Sequence, residues 1–443
     1  MRLYPLQKEI VLYEEGFGEN DLLQRKSAGE QISELLERVE DPIVLAVDGP
    51  WGSGKSYFLK RWVGAHRTEN GGSATTVYFD AFANDYLDDP LISLTGAIGE
   101  RLPAEKTGAT WKKAKKIAVT LARPALRIGA AVTTAGVTEI AGPLVDAAIE
   151  AGGKEAEKAA EAFWKREDGR RAAMLQFRSA LGELTKDGNP LIIVVDELDR
   201  CRPDYALSVL EVIKHFFAVE RVHFVLGVNL DGLEHIVRVR YGAGVDAADY
   251  LKRFVSLSTQ LPQLVGQHSN MHATIKYLQS AGSEMGIEPK AIEIAVEQIE
   301  LAINKNNVSL RDVEKLLTRL ALLPRRKEFG QFYFGYQVVI ISLVLWQVLK
   351  PDFFHRAMKQ TLEVGEIEAF FGISKSMLDS KADQYNHGAY LLSGVWRFAL
   401  TGTAEKEEDK SNFAKTFDTF GRAVKILPNI ERDYFRIFQV GEK

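Results

Sequence analysis

IVLAVDGPWGSGKSYFLKRWV, residues 43–63, decides the fold. Ile43 to Asp48 form a short apolar run with the length and branching of a buried strand. Phe58, Leu59, Trp62 and Val63 recur at the spacing of one helix face. Between them Gly49, Gly54, Lys55 and Ser56 stand at the spacing G-x-x-x-x-G-K-S. A glycine-rich loop between a strand and a helix N-terminus presents backbone N–H groups and the positive end of the helix dipole to an anion. Glycines let the main chain wrap closely round phosphates, a lysine brings a point charge to their outer oxygens, and a hydroxyl binds Mg2+. The predicted cradle is therefore Gly49, Gly52, Ser53, Gly54, Lys55, Ser56 and Tyr57, with Lys55 also catalytic and Ser56 also a metal ligand.

Such a loop needs a second buried strand ending in an acid. LIIVVDELDRCRPD supplies one, with Asp196 as the expected Mg2+ ligand and Glu197 as the group that polarises the attacking water. Asp199 and Arg200 follow closely enough either to join the catalytic edge or to form an ion pair that closes the turn. Cys201 reads as a small packed residue. A third apolar run, VHFVLGVN, leaves Asn229 at its end. In P-loop ATPases with an additional strand a polar residue there senses the γ-phosphate; the alternative is a turn residue opening the following LDGL.

These stretches, with VYFDAFANDY and DYLKRFVSLSTQLP, resemble the KAP family of P-loop NTPases over about residues 15 to 320. Trp51–Gly52 inside the loop and Leu198, Asp199, Arg200, Cys201 and Pro203 after the acid look especially like that family. The resemblance implies an α/β fold: an additional-strand, AAA+/STAND-like parallel sheet with a helical insertion and a helical C-terminal domain. It also implies ATP with Mg2+ and a separate effector protein, as in bacterial phage exclusion, and it places an arginine near Arg311, which either reaches the nucleotide from the helical part or is an exposed helix arginine; a homo-oligomer is expected. Family members often carry an acid where this chain has Asn229, which separates its sensing role from theirs. Trp51 occupies a variable position of the loop pattern, and its indole is expected to anchor the loop.

The expected division is residues 1–262 as the P-loop domain, with a helical insertion over about 103–172, and 263–443 as a helical lid or assembly domain. Residues 101–130 carry eight basic side chains against one acid, Glu105. Behind them lies IGAAVTTAGVTEIAGPLVDAAI, where Glu139 and Asp146 would each cost about 2.5–3.5 kcal/mol at mid-membrane, against a membrane span. The stretch reads either as a basic face for an anionic membrane or nucleic acid, or as an excursion packed on the same chain or a sister subunit. In the helical part Ile292, Val296 and Ile299 suggest one apolar face, and Leu310, Val313, Leu316, Leu317 and Leu320 another, opened by a Ser309–Asp312 cap. QVVIISLVLWQVL is too short for a membrane helix and suits a buried core. Residues 353–443 show no motif.

Globally the 443 residues hold 56 Lys and Arg against 60 Asp and Glu, which excludes wholesale nucleic-acid binding by net charge. One cysteine excludes an internal disulfide, and the charged start is unlike a secretory signal, so a cytoplasmic protein is expected, peripheral to the membrane at most. The leading expectation is an ATP-hydrolysing switch that assembles and controls an effector. The alternatives are a nucleotide-stabilised scaffold with negligible turnover, or an ATPase acting on a membrane or nucleic acid through the basic stretch.

Overall fold

A computed structural model describes residues 2–6, 9–87, 89–102, 109–121, 171–266, 271–324, 328–418 and 425–436. Five parallel strands form its sheet: β1 (Val44–Asp48), β2 (Thr75–Asp80), β3 (Leu191–Asp196), β4 (Val222–Val228) and β5 (Leu257–Gln260). Their order is β2-β3-β4-β1-β5. β4 thus lies between the loop-bearing β1 and the acid-bearing β3, which is the additional-strand arrangement. Every residue of β3 and of β4 is buried, as a parallel sheet covered on both faces requires.

Alternate residues divide between two cores. Ile192 and Val194 pack with α1 (Lys26–Arg38) and α2 (Lys55–Thr68). Ile193 and Val195 face the opposite layer of α3 (Pro90–Arg101), α4 (Ala109–Leu121), a helix over 171–185 designated α5, α6 (Pro203–Phe216) and α7 (Leu230–Tyr241). Trp111, Ala114, Ile117 and Ala118 bury one face of α4 in that core and leave Lys112, Lys115 and Lys116 exposed. This part of the basic stretch packs on its own chain. The apolar run around Glu139 and Asp146 lies outside the described residues.

Register pairs Asp48 with Val228, Asp196 with Gly227 and Asp80 with Asp196, so the strands deliver Asp48, Asp80 and Asp196 to one C-terminal edge. Ligands of open α/β sheets bind there. Beyond a short helix, α8 (Ala247–Leu251), and β5, the chain becomes helical: α9 (Ala273–Met285), α10 (Pro289–Ala302), α11 (Leu310–Leu322) and α12 (Phe334–Leu349). The buried face of α10 is Ala291, Ile294, Ala295, Gln298 and Ile299; Ile292 and Val296 sit half-buried at its margin, a rotation of the expected stripe.

Val338 to Trp346 of α12 are buried all round, the core role its short apolar length indicated. Its polar Ser342 is satisfied by donating to Gln298 at 2.8 Å and accepting from the Trp396 indole at 3.0 Å. Trp396 belongs to the helix His387–Thr401, so residues beyond 353 serve this second core. Among the described residues no helix is long and apolar enough to cross a membrane.

The N-terminal segment crosses α2 at close range. Arg61 grips it by donating to the Glu15 carboxylate and the Gly16 carbonyl, both at 3.0 Å. A Cβ at Gly64 would stand 2.3 Å from the Glu15 carbonyl oxygen. Gly64→Ala should therefore lose stability by about 1–3 kcal/mol through overpacking, outweighing the roughly 1 kcal/mol that alanine gains in a helix. Chemical denaturation midpoints test this; a stabilised variant would contradict the crossing.

Candidate functional site

The loop from Gly49 to Gly54 is shaped by glycines in the left-handed region, Gly52 at φ 81° and Gly54 at φ 84°. Side chains are excluded there twice over. A Cβ on Gly52 would come within 2.8 Å of Ser309 Oγ and Arg311 Cβ, and one on Gly54 within 2.7 Å of an Arg25 guanidinium nitrogen. The loop's carbonyl oxygens turn toward protein donors. Lys55 Nζ donates to Gly49 O at 2.5 Å and Pro50 O at 3.2 Å; Leu310 N donates to Gly52 O at 3.1 Å; Arg25 donates to Ser53 O at 2.8 Å and Gly54 O at 3.2 Å. Among the described residues the N–H groups of Gly54, Lys55, Ser56 and Tyr57 donate to no protein acceptor. Four amides at the start of α2 are thus left for an anion.

Across the edge, Asp196 is 1% exposed. Its carboxylate accepts from the Tyr78 hydroxyl at 2.6 Å and from the Glu197 N–H at 2.9 Å. Burial pushes this carboxyl above its ordinary range, with the Tyr78 and Ser56 hydroxyls pulling the other way. Tyr78, itself raised by burial and by Asp196, remains a donor. Glu197 adopts a left-handed backbone, φ 59°, unusual for a non-glycine residue and of the kind that collects at functional sites. Besides its bond to Asp196, Glu197 N donates to Gly227 O at 3.1 Å, Glu197 O accepts from Arg200 N at 3.1 Å, and the Arg200 guanidinium pairs with its carboxylate at 2.9 Å. Ser56 Oγ lies 3.4 Å from Glu197 Oε1, which brings the loop and the acid strand together.

Asp199, 7% exposed, accepts the Trp51 indole N–H at 2.5 Å. The turn is therefore not closed by an Asp199–Arg200 pair: Arg200 goes to Glu197, and Asp199 fastens the loop's tryptophan. Cys201 is buried, its thiol raised by burial and donating to Glu197 O at 3.6 Å. Asn229 ends β4 and starts α7, beside Trp51 at Gly232; its side chain has no hydrogen-bond partner among the described residues. Arg311 is exposed in the first turn of α11, whose Ser309–Asp312 capping box is formed, and its Cβ borders Gly52. Tyr57 is half exposed beneath Arg61.

Four contributors carry no motif. Arg25 lies in an ordinary polar stretch, and the Leu310 contact is a backbone amide that no residue type announces. Tyr78 stands in the VYFDAFANDY segment, and only the pairing of β2 beside β3 brings its hydroxyl to Asp196. Asp48 was hidden as the last residue of a strand; it accepts from Leu230 N at 2.9 Å.

The Ser56 hydroxyl, within hydrogen-bond reach of the buried Asp196 carboxylate, and that carboxylate are the oxygen donors a divalent cation would take here. Among the described residues the buried carboxylate has no ion-pair partner, and no group of three or more His, Cys, Asp or Glu could hold a metal alone. Such a cation would share its ligands with phosphate.

A family model described as the KAP family P-loop domain matches residues 25–325. No curated protein matches the chain. Among solved structures it is similar to the Aeropyrum pernix ORC2 protein in ADPNP–ADP complexes, with 12% identity, TM-score 0.33 and coverage of 89% of this chain and 86% of that one. The ADP form of the same protein gives 12% identity, TM-score 0.31 and coverage of 88% and 84%. Likenesses this loose assign no residues, and the fold rests on the strand order.

Burial holds the Lys55 ammonium below its ordinary range, and Asp199 is the largest of the charges raising it, ahead of Asp196 and Asp48. Asp199→Asn keeps an acceptor for Trp51 and removes that charge, so Lys55 should lose its proton at lower pH. The ammonium is the form that attracts phosphate. Nucleotide affinity should therefore fall as pH rises, and the fall should begin at lower pH in Asp199→Asn; binding isotherms from neutrality to about pH 10 test this. Superimposable profiles would contradict it.

Proposed function

The chain belongs to the KAP family of P-loop domains, and from that premise we propose that it is a Mg2+-dependent ATPase acting as a molecular switch. The observation that carries the reading is the division of labour in the loop: five of its six carbonyls are held by protein donors and four consecutive N–H groups are left for an anion. Gly49, Gly52 and Ser53 shape the cradle, Gly54 to Tyr57 donate to the phosphates, and the Lys55 ammonium attracts the β and γ oxygens. Ser56 and Asp196 hold Mg2+, which when bound neutralises charge building on the phosphates. Glu197 lies close enough to Ser56 to orient a water at the γ-phosphate and accept its proton. Asn229 senses that phosphate from the end of β4.

The switch reading is supported by the contact between the loop and the helical part. Leu310 N–H is bonded to Gly52 O, and Arg311 stands beside it, so phosphates that reshape the loop act on the first turn of α11. The response passes to a separate effector protein through an oligomer; antiphage defence is the setting the family's bacterial members suggest. The exposed lysines of α4 offer an anionic surface, lipid or nucleic acid, a place to bind.

Glu197→Gln should lower turnover about 10²–10⁴-fold while ATP still binds, and Lys55→Ala should lose binding itself. Single-turnover hydrolysis beside equilibrium ATP binding separates the two; wild-type turnover in Glu197→Gln would remove Glu197 from the mechanism. Turnover per subunit should also climb with protein concentration. A flat rate would mean a site complete within one chain.

A further inference from the structure

Arg25 is 6% exposed, at the entrance to α1, and lies outside the phosphate-loop motif. Its two terminal nitrogens reach successive carbonyls of the loop, Ser53 O at 2.8 Å and Gly54 O at 3.2 Å. Its Nε is buried without a partner. No carboxylate lies within ion-pair distance of it among the described residues; Asp21, the charge that acts on it through space, accepts from Lys26 N at 2.7 Å. The guanidinium meets Gly54 from the same side as Leu310 of the helical part.

We propose that Arg25 is a positioning residue for nucleotide binding, whose fork on the Ser53 and Gly54 carbonyls aims the Gly54 and Lys55 N–H groups at the phosphates. The geometry follows from the planar trans peptide, in which C=O and N–H point in opposite directions. Fixing Ser53 O toward Arg25 turns the Gly54 N–H away from it, and fixing Gly54 O does the same for Lys55. The cationic donor also polarises both peptides, which strengthens their outward N–H groups. Burial lowers the Arg25 pKa to about 10, so it stays charged at neutral pH. A buried cation without a counter-charge is costly to the free protein, and a phosphate at the loop offsets that cost.

The inference rests on the nucleotide-binding reading and gives a signature that a simple structural role would not. Arg25→Met takes the donor from Ser53 O, while Gly54 O keeps Phe58 N at 3.0 Å, and it also relieves a buried cation without a counter-charge; the second effect offsets the first, so the ligand-free protein should be as stable as before, or more so, while nucleotide binding weakens. The test uses ADP with EDTA, so that no metal contributes, with calorimetric affinity and thermal midpoints read on the same samples. For Arg25→Met the expected result is an unchanged or raised ligand-free midpoint and ADP affinity weaker by about tenfold to a hundredfold. Arg25→Lys, with a charge but no fork, should fall between. A lower midpoint with ADP affinity within about twofold of wild type would overturn the inference, since it is what a packing residue gives. Should Arg25→Met fail to fold, Arg25→Lys decides: weaker affinity at an unchanged midpoint supports the assignment, and wild-type affinity overturns it. If wild-type protein binds neither ADP nor pyrophosphate, the nucleotide reading falls and takes this inference with it; wild-type binding with unaffected variants overturns this inference alone.

Discussion

The structure depends on where the carbonyl oxygens of one short loop go. A peptide that turns its N–H toward an anion must turn its C=O toward something else, and a carbonyl buried without a donor is costly. Here Lys55 takes Gly49 and Pro50, Leu310 takes Gly52, and Arg25 takes Ser53 and Gly54. Lys55 at the loop's end and two distant parts of the chain thus converge on five carbonyls to satisfy them. The cradle is thus made by the fold and not by the glycine pattern alone; the glycines permit the backbone angles, and the donors hold them.

The same contacts explain why the helical part sits where it does. Its second core, built on α12, could pack without reference to the sheet. The first turn of α11 is nonetheless bonded to the loop at Gly52, and Ser309 is capped by its own Asp312 so that Leu310 N–H is directed outward. On the other side of the loop Trp51 spans to Asp199, and Ser56 approaches Glu197, itself held in a strained backbone by Arg200 and Gly227. Loop, acid strand and helical part are therefore linked through short polar contacts, and a charge placed among them is felt by all three. Burial shifts Asp196 and Lys55 each toward its neutral form, and an opposite charge beside either one would counter that shift.

Much of this fold was legible in the sequence. The loop motif between an apolar run and a helical face, and two further apolar runs ending in Asp196 and Asn229, mark strands buried on both faces, while their additional-strand order was implied by the resemblance to the KAP family and is seen in the sheet. The α12 run was legible as core by its length, and the α11 start by its capping box. Ile292 and Val296 misled because large apolar residues outweighed the alanines that actually face the core, where close helix packing favours small side chains. Arg25 and the Leu310 amide were illegible for a different reason: one is a basic residue among others, the other is a backbone group, and only the folded chain brings them to the loop. Of the two readings open for Asp199 and Arg200, an ion pair between them is not formed, because sequence adjacency does not say which way a side chain points once Glu197 takes a left-handed turn.

The central claim is that phosphates bound at the loop are felt at α11 through Gly52 and Leu310. Amide hydrogen exchange with and without ADP measures this most directly, because it reports loop and helix separately. The account expects slower exchange on ADP binding at residues 52–58 and, in the same sample, at the first turn of α11 around Leu310 to Val313. Protection confined to the loop, with the start of α11 exchanging as in the free protein, would contradict it.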